Sequence, residues 1–293
     1  MSPDHRNVII AVSSLFLVVF PTVLYSVSPN HRNTVHRGVR SLLQPRYLTT
    51  HSYLPQLIRK GSEWRFEDTN STIGNCEQIP KSLGHYTLGE GYNKKVYEYG
   101  NVAIKKSLRD GQGMRECLRT YNDSNSCWNN QIRGFQNEIG LLLKLHGNVN
   151  IPTMYGYCLP VDTTQDMYIV TEKAQPLKLI VYADLVWERR LNIALHVVSF
   201  LISIQPLQPL DLRIDQFLLR SDDTPLLTDL DSLVVDDKYD ELSLAKKFYG
   251  QFVNGALKSH DKSRNLLLSD LHHQFLEDSV TLRGIQRILL RLL

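Results

Sequence analysis

Residues 88–105 read LGEGYNKKVYEYGNVAIK, and this stretch decides the fold. Residues 95–99 and 102–105 are rich in the aromatic and branched side chains that favour strands, and Gly100-Asn101 between them is a two-residue hairpin signal. Residues 86–88, just before the first glycine, have the same composition. The stretch therefore predicts a three-strand meander with a glycine-containing turn before each of the two later strands.

The rest of the chain predicts short strands followed by helices. Apolar residues at three- and four-residue intervals predict helices, and short apolar runs bounded by turn residues predict strands. The predicted elements are a helix over Phe135–Leu145, strands over Met154–Cys158 and Met167–Val170, a helix over Leu185–Ile204, a hairpin over Phe217–Leu227 and terminal helices ending on Leu282–Leu292. Strands first and helices after predict an α+β fold in two lobes.

The glycine turn and the lysine that follows it have the residue types of a phosphate site. Gly89 and Gly91 allow backbone amides to close over phosphates, and Val96 would cover a base. Lys105 on the next strand would supply an ammonium, which needs a carboxylate such as that of Glu138 to hold it in place. A glycine turn alone is an ordinary hairpin and a strand lysine is usually solvated, so the hypothesis depends on finding both together.

Two acidic segments in the second half complete the candidate site. Asp211 would orient an acceptor hydroxyl and take its proton, Gln216 would reach a metal through its side-chain oxygen, and Asp229 would bind Mg²⁺. Asp231 would supply a further carboxylate if it turns inward, and otherwise it is a solvated residue in a turn. Aspartates are commoner in turns and helix caps than in catalytic sites, so the joint occurrence carries the prediction.

These motifs follow the order of the protein-kinase set: glycine loop, strand lysine, catalytic aspartate and metal aspartate. From about Gly84 onward the chain resembles the secreted, lumenal kinases, most nearly the vertebrate lonesome kinase family of extracellular tyrosine-protein kinases. Protein O-mannose kinase and the divergent Cys-rich lumenal kinases are similar at a greater distance. The segments that carry the resemblance are Tyr92–Tyr97, Tyr155–Cys158, Trp187–Leu191, Asp211 with Gln216-Phe217, and Thr228–Asp231.

The resemblance implies a divergent two-lobed protein-kinase-like fold with a shortened C-lobe. It implies ATP and Mg²⁺ (or Mn²⁺) as cofactors and transfer of the γ-phosphate to hydroxyls, tyrosine above all, of secreted or lumenal proteins. The implied catalytic residues are Asp211, Lys105, Glu138 and Arg213, the last neutralising the transferred phosphoryl group. The implied nucleotide-binding residues are Gly89, Gly91, Val96, Ala103, Lys105 and Glu172. The implied metal ligands are Asp229, Gln216 and Asp231.

Several departures from the kinase pattern keep other functions open. Lys94 replaces the third glycine, Pro209-Leu210 replaces the usual His-Arg before Asp211, and Gln216 replaces the usual asparagine. The Gln216 substitution and the shortness of the segment after Asp229 favour a pseudokinase that binds a partner without catalysis. The presence of four ionisable site residues opposes a pseudokinase, because a scaffold has no physical need for them. These residues are Lys105, Glu138, Asp211 and Asp229. A glycan kinase resembling protein O-mannose kinase would share the nucleotide site and differ at the acceptor.

The four cysteines predict disulfides rather than zinc, because no pair has the close Cys-x-x-Cys spacing of a metal site. Cys117 and Cys127 lie in an insertion over residues 108–131, while Cys76 and Cys158 lie outside it. Four cysteines allow three connectivities. The pairing is open at this stage.

The N-terminus contains an uncharged apolar run over Val8–Val27, long enough to cross about 30 Å of hydrocarbon. We favour an uncleaved anchor over a signal peptide. The arginines after the run favour a cytosolic domain by the positive-inside rule, whereas the glycosylation sequons at Asn70 and Asn122 oppose it. The family resemblance implies a single-pass type II protein in the Golgi or ER lumen, or a secreted one. The predicted regions are a tail (1–7), an anchor (8–28), a stem or adapter (29–81), an N-lobe (82–173) and a C-lobe (174–293).

Charge argues against nucleic acid as a partner. The net charge of +3 comes from 33 basic and 30 acidic residues spread along the chain. Proteins that bind phosphate backbones concentrate Lys and Arg on one face. The expected partners are therefore ATP, protein substrates and, through the N-terminal helix, a membrane.

Overall fold

The computed structural model describes residues 54–67, 74–80, 83, 86–235, 240–254, 256–257 and 261–293. These residues belong to one unit that runs from Arg46 to Leu293. The predicted anchor and the sequon at Asn70 lie outside the described residues. Among the helices in this part of the chain, none has both the length and the apolar character needed to span a membrane.

The part of the chain from β3 to β7, which we call the first lobe, is built on an antiparallel sheet of five strands in the order β3-β4-β5-β7-β6, with a separate hairpin of β1 and β2 before it. The strands are β1 Leu57–Lys60, β2 Glu63–Phe66, β3 Thr87–Glu90, β4 Lys94–Tyr99, β5 Val102–Ser107, β6 Met154–Cys158 and β7 Tyr168–Glu172. The predicted meander is present as β3, β4 and β5. The β1–β2 hairpin lies in the predicted stem, where no strand was expected.

Two helices connect β5 to β6, α1 over Gln112–Tyr121 and α2 over Ser124–Lys144. The prediction that the second helix begins near Phe135 was wrong. Asp123 caps the helix much earlier, with its side chain accepting a hydrogen bond from the Asn125 amide at 3.0 Å. The first two turns of α2 are mostly polar and exposed, so they lack the apolar spacing that marks the rest of the helix.

The part of the chain after β7, which we call the second lobe, is mainly helical. Its helices are α3 Leu179–Asp184, α4 Trp187–Ser203, α5 Glu241–Phe248, α6 Lys262–Leu276 and α7 Leu282–Leu292, with a π-helical turn at Tyr249–Val253. Its short strands are β8 Gln175–Pro176, β9 Leu207–Pro209, β10 Phe217–Leu219, β11 Pro225–Leu227 and β12 Leu233–Val235. Helix α4 is the centre of the lobe, and its apolar face is buried against neighbours that include α7. Mixed sheets and helices confirm the α+β class.

Both disulfides expected from the composition are present, as Cys76–Cys158 and Cys117–Cys127. The first ties the segment after the β1–β2 hairpin to β6, and the second ties α1 to α2. The hairpin also bonds to the β6 region directly, with the Trp64 amide donating to the Leu159 carbonyl at 2.8 Å. The β1–β2 hairpin and the segment around Cys76 are thus fastened to the sheet of the first lobe.

Candidate functional site

The register of the meander places two lysines on one face of the sheet. Val96 lies opposite Lys105, and Lys94 lies opposite Ser107. Directly opposed residues of antiparallel strands point to the same face, and so do residues two apart on one strand. Lys94, Val96 and Lys105 therefore face the same side, together with Ala103. This face is turned toward α2.

The two lysines share the buried carboxylate of Glu138. Lys105 Nζ lies 2.5 Å from Glu138 Oε1, and Lys94 Nζ lies 2.5 Å from Glu138 Oε2. Lys94 Nζ also lies 2.9 Å from Asp231 Oδ2, and Lys105 Nζ donates to the carbonyl of Thr228 at 2.6 Å. The contact predicted between Lys105 and Glu138 is present. We call Lys94, Lys105, Glu138 and Asp231 the ion cluster.

Burial and mutual attraction set the protonation of the ion cluster. Burial opposes ionisation of Glu138, but the ammonium groups of Lys105 and Lys94 hold the pKa of Glu138 below its usual range. Burial likewise opposes the charge of Lys94, and the carboxylates of Asp231 and Glu138 overcome it and raise the pKa of Lys94. At Asp231 burial has the largest effect and raises the pKa of the carboxyl. Neutral pH therefore keeps both Glu138 and Lys94 charged.

The sequence left open whether the side chain of Asp231 turns inward or is solvated, and in the structure it turns inward. Its carboxylate binds Lys94 and approaches α2 at Gly134, where an added Cβ would lie 3.7 Å from Asp231 Oδ2. The solvated-turn reading of Asp231 is therefore wrong. Because one of its oxygens is bound to an ammonium, a role as metal ligand stays a prediction.

Asp211 and Asp229 lie beside Gln216. With the side-chain amide oriented to satisfy both neighbours, its nitrogen donates to Asp229 Oδ2 at 2.7 Å and its oxygen accepts from Arg213 Nη2 at 2.8 Å. Arg213 Nε lies 3.0 Å from Asp211 Oδ2. The backbone amide of Thr228 donates to the carbonyl of Gln216 at 3.0 Å. Asp211, Arg213, Gln216 and Asp229 thus form one connected group.

Thr228 joins the ion cluster to this second group, because its carbonyl accepts from Lys105 while its amide donates to the carbonyl of Gln216. Asp229 follows directly in the chain. We call the region between the two groups the cleft. The sequence-based hypothesis requires an ammonium and two carboxylates from positions 105, 211 and 229 to converge. The structure links these positions through contacts of Thr228, Gln216 and Arg213. Among the described residues, no cluster of three or more His, Cys, Asp and Glu side chains is placed to hold a metal by itself.

The glycines of the loop leave open space beside the backbone. An added Cβ at Gly89 would have no atom within 4 Å, and one at Gly91 would make only an ordinary contact at 3.7 Å. The Gly91 amide donates to the Lys94 carbonyl at 2.8 Å, which closes the turn. Packing within the protein therefore does not demand glycine here, and the space is available to a bound group.

Glu172, expected to bind a cofactor, has its side chain engaged elsewhere. Its carboxylate forms a two-point ion pair with Arg220, at 2.8 Å to Nε and 2.6 Å to Nη2, and accepts from the Thr153 amide at 2.7 Å. The pair joins the end of β7 to the region after β10, across the connection between the lobes. A cofactor contact by Glu172 stays a prediction.

Sequence reasoning missed Lys94 as a member of the site and treated it as a substitution for glycine. The signal that would have found it is the period of the strand. Lys94 lies two residues before Val96, which was expected over the cleft, so it had to face the cleft as well. What it binds there depends on Asp231, far away in sequence, and no local pattern reports that contact.

Comparison with known proteins gives a fold and no family. No protein-family model and no curated protein matches the chain. Among solved structures, the co-crystal structure of WbdD with the kinase inhibitor LY294002 matches with a TM-score of 0.51 and 14% identity, over 73% of this chain and 46% of WbdD. A monomeric WbdD structure matches with a TM-score of 0.48 and 14% identity, over 67% of this chain and 44% of WbdD. The chain thus spans less than half the length of these neighbours, and the first likeness shows a kinase-like fold.

Proposed function

We propose that this chain is an ATP-dependent kinase of the secretory pathway that phosphorylates hydroxyls, tyrosine above all, of secreted or lumenal proteins. One observation carries the proposal. Lys105, held by Glu138, is joined through Thr228 to the group formed by Asp211, Gln216 and Asp229. Phosphoryl transfer relies on positioning and charge neutralisation, for which an ammonium facing carboxylates is suited.

Each residue of the cleft has a role in this proposal. The acceptor oxygen attacks the γ-phosphorus, the bond to the β–γ bridging oxygen breaks, ADP leaves, and Asp211 takes the hydroxyl proton. Lys105 would bind the phosphates, exchanging its bond to the Thr228 carbonyl for phosphate oxygens. Asp229, with the side-chain oxygen of Gln216 after its amide turns, would hold Mg²⁺ against the nucleotide. Mg²⁺ is commonly bound by one or two carboxylates together with substrate phosphates, and this donor set fits it.

A lumenal or extracellular setting is supported by the covalent structure. Two disulfides join all four cysteines, and disulfides persist mainly in oxidising compartments. The sequon residue Asn122 is exposed between α1 and α2, as a glycosylated asparagine must be. We therefore propose an N-terminal membrane anchor with the kinase-like unit in the Golgi or ER lumen, or its release as a secreted protein.

A pseudokinase is the second candidate, and one observation favours it. Asp231 is bound to Lys94 and Asp211 to Arg213, so two carboxylates proposed for catalysis have partners within the protein. A non-catalytic module would keep these pairs permanently. A catalytic one would exchange them for metal and acceptor.

Transfer of radiolabelled phosphate decides between these candidates. The full chain, produced in a secretory pathway, would be incubated with labelled ATP and Mg²⁺ or Mn²⁺ and a panel of tyrosine, serine and glycan acceptors. We expect transfer to tyrosine by the wild type and none by Lys105→Met or Asp211→Ala. Asp215→Ala is the matched control, because Asp215 contacts the same Arg213 at 3.5 Å. Equal incorporation by wild type and the two site variants would reject catalysis, and transfer to glycan alone would identify a glycan kinase.

A further inference from the structure

The glycine loop covers residues 88–96, and its tip is Tyr92-Asn93. Helix α1 and the segment just before it bind this tip. The Gly113 amide donates to the Tyr92 carbonyl at 2.9 Å, and the Leu108 amide donates to the Asn93 carbonyl at 3.0 Å. The Tyr92 hydroxyl donates to the carboxylate of Glu116. Two backbone bonds and one side-chain bond therefore fix both residues of the tip to the segment that follows β5.

Helix α1 is shaped to receive the loop. A Cβ at position 113 would lie 2.0 Å from Asn93 Oδ1 and 2.5 Å from Tyr92 Cδ1, so only glycine permits this approach. The N-cap residue Gly111 offers no side chain to the free amides of the first turn. Such amides need partners, and the Tyr92 carbonyl supplies one.

Glu116 is held in position for its bond with Tyr92. Its other oxygen accepts from Gln112 Nε2 at 2.8 Å, one turn earlier on the same helix. Burial, followed by the hydrogen bond to Glu116, raises the pKa of Tyr92 to about 12. The phenol therefore stays protonated and remains a donor throughout the physiological range.

The helix that holds the loop is itself joined to the helix that carries Glu138. Cys117 of α1 and Cys127 of α2 form a disulfide, and Glu138 farther along α2 binds Lys105. The loop tip and the lysine of the cleft are thus both attached to the α1–α2 pair. Movement of the loop relative to Lys105 would require α1 to release the tip.

We propose that α1 is the positioning element of the glycine loop, with Gly113 and Glu116 as its positioning residues. The helix fixes the loop amides before a nucleotide arrives, so binding does not have to order them. This inference rests on the proposed ATP-binding function. Preorganisation of this kind increases affinity by removing the entropic cost of ordering the site.

Amide hydrogen exchange of the full chain without nucleotide tests the mechanical part. Gly113→Ala would push the tip away, and Tyr92→Phe removes a single hydrogen bond and keeps the ring. We expect residues 88–96 to exchange several-fold faster in both variants. Gly250→Ala is one control, because an added Cβ there meets no atom within 4 Å. Tyr121→Phe is the other, because Tyr121 is as exposed as Tyr92. Unchanged exchange in both variants overturns the inference.

Titration of the same proteins with ATP and Mg²⁺ tests the functional part. We expect the dissociation constant of Gly113→Ala to rise about five- to tenfold, with KM for ATP rising by the same factor and kcat changing less. Tyr92→Phe should show a smaller rise in the same direction. If the wild type binds and both variants bind equally well, α1 does not position the loop for nucleotide and this inference alone fails. If the wild type does not bind Mg·ATP, the proposed function fails and this inference fails with it.

Discussion

At the scale of single residues, the adjacent lysines of β4 lie in opposite environments. Lys94 binds the buried carboxylate of Glu138 and the partly buried one of Asp231, whereas Lys95 binds Glu90 at 3.1 Å near the surface. Removing one partner of a buried ion pair leaves an unpaired charge and costs about 3–5 kcal/mol. We expect Lys94→Met to lower the free energy of unfolding by about this amount in urea denaturation. Lys95→Met should change the free energy of unfolding far less. If Lys94→Met lost as little as Lys95→Met, the ion cluster would not stabilise the fold.

The ion pair of Glu172 with Arg220 should make stability depend on pH. Burial opposes ionisation of Glu172, but hydrogen bonds from Arg220 and the Thr153 amide hold its pKa below the usual range. A carboxyl whose pKa is lower in the folded state adds stability above its unfolded pKa of about 4.3. That stability is lost as the pH falls through the folded pKa.

We therefore expect Glu172→Gln to destabilise the protein by about 1–2 kcal/mol at pH 7, because solvent weakens this half-buried pair. The difference from wild type should shrink in acid, as measured by denaturant unfolding across the pH range. Asp223→Asn is the control, since Asp223 forms a similar two-point pair with Arg189 in a more exposed position. If the loss of unfolding free energy in Glu172→Gln did not change with pH, the ionised pair of Glu172 with Arg220 would not be its cause.

Single residues also show how far the sequence could lead. Lys105, Glu138, Asp211 and Asp229 were identifiable because each belongs to a motif with a fixed order along the chain. Their convergence follows from the fold that the motifs indicate. The sharing of Glu138 by two lysines was not identifiable, because it depends on how closely β4 approaches α2.

At the scale of elements, the two disulfides should contribute unequally to stability. Cys76–Cys158 closes a loop across 82 residues and Cys117–Cys127 one across 10. In the chain-entropy model these loops correspond to about 4.5 and about 2.7 kcal/mol. We expect the double variant Cys76→Ser with Cys158→Ser to lose more unfolding free energy than Cys117→Ser with Cys127→Ser does. Thermal and urea unfolding of both double variants measure this, and the reverse order would contradict the entropic account.

Some secondary-structure elements could be predicted from the sequence and others could not. The meander and α4 were predicted because their apolar spacing is regular and one face is buried. The β1–β2 hairpin was missed, although Gly61-Ser62 between its strands is a recognised turn signal and Gly61 adopts a φ of 60°. Its strands are only half buried, so the alternation of apolar residues is weak. Helix α1 was missed because it buries only part of one side.

At the scale of the whole molecule, a nucleotide bound in the cleft would contact both lobes and stabilise them together. Lys105 belongs to the first lobe and Asp229 to the second, and Thr228 links the two through its bond with Lys105. A ligand that binds only the folded state adds about 2.7 kcal/mol at one hundred times its dissociation constant. We therefore expect ATP with Mg²⁺ to raise the melting temperature of the full chain.

The same measurement separates the metal from the nucleotide. Mg²⁺ prefers six oxygen ligands and takes several from substrate phosphates, so Mg²⁺ alone should raise the melting temperature little. Asp229→Ala should remove most of the stabilisation by Mg·ATP, because it deletes the carboxylate proposed to hold the metal. Asp215→Ala removes an exposed carboxylate that lies 3.5 Å from Arg213, and this variant should keep the stabilisation by Mg·ATP. An equal shift in wild type and Asp229→Ala would place the nucleotide away from this cleft, and with it the kinase function proposed for the chain.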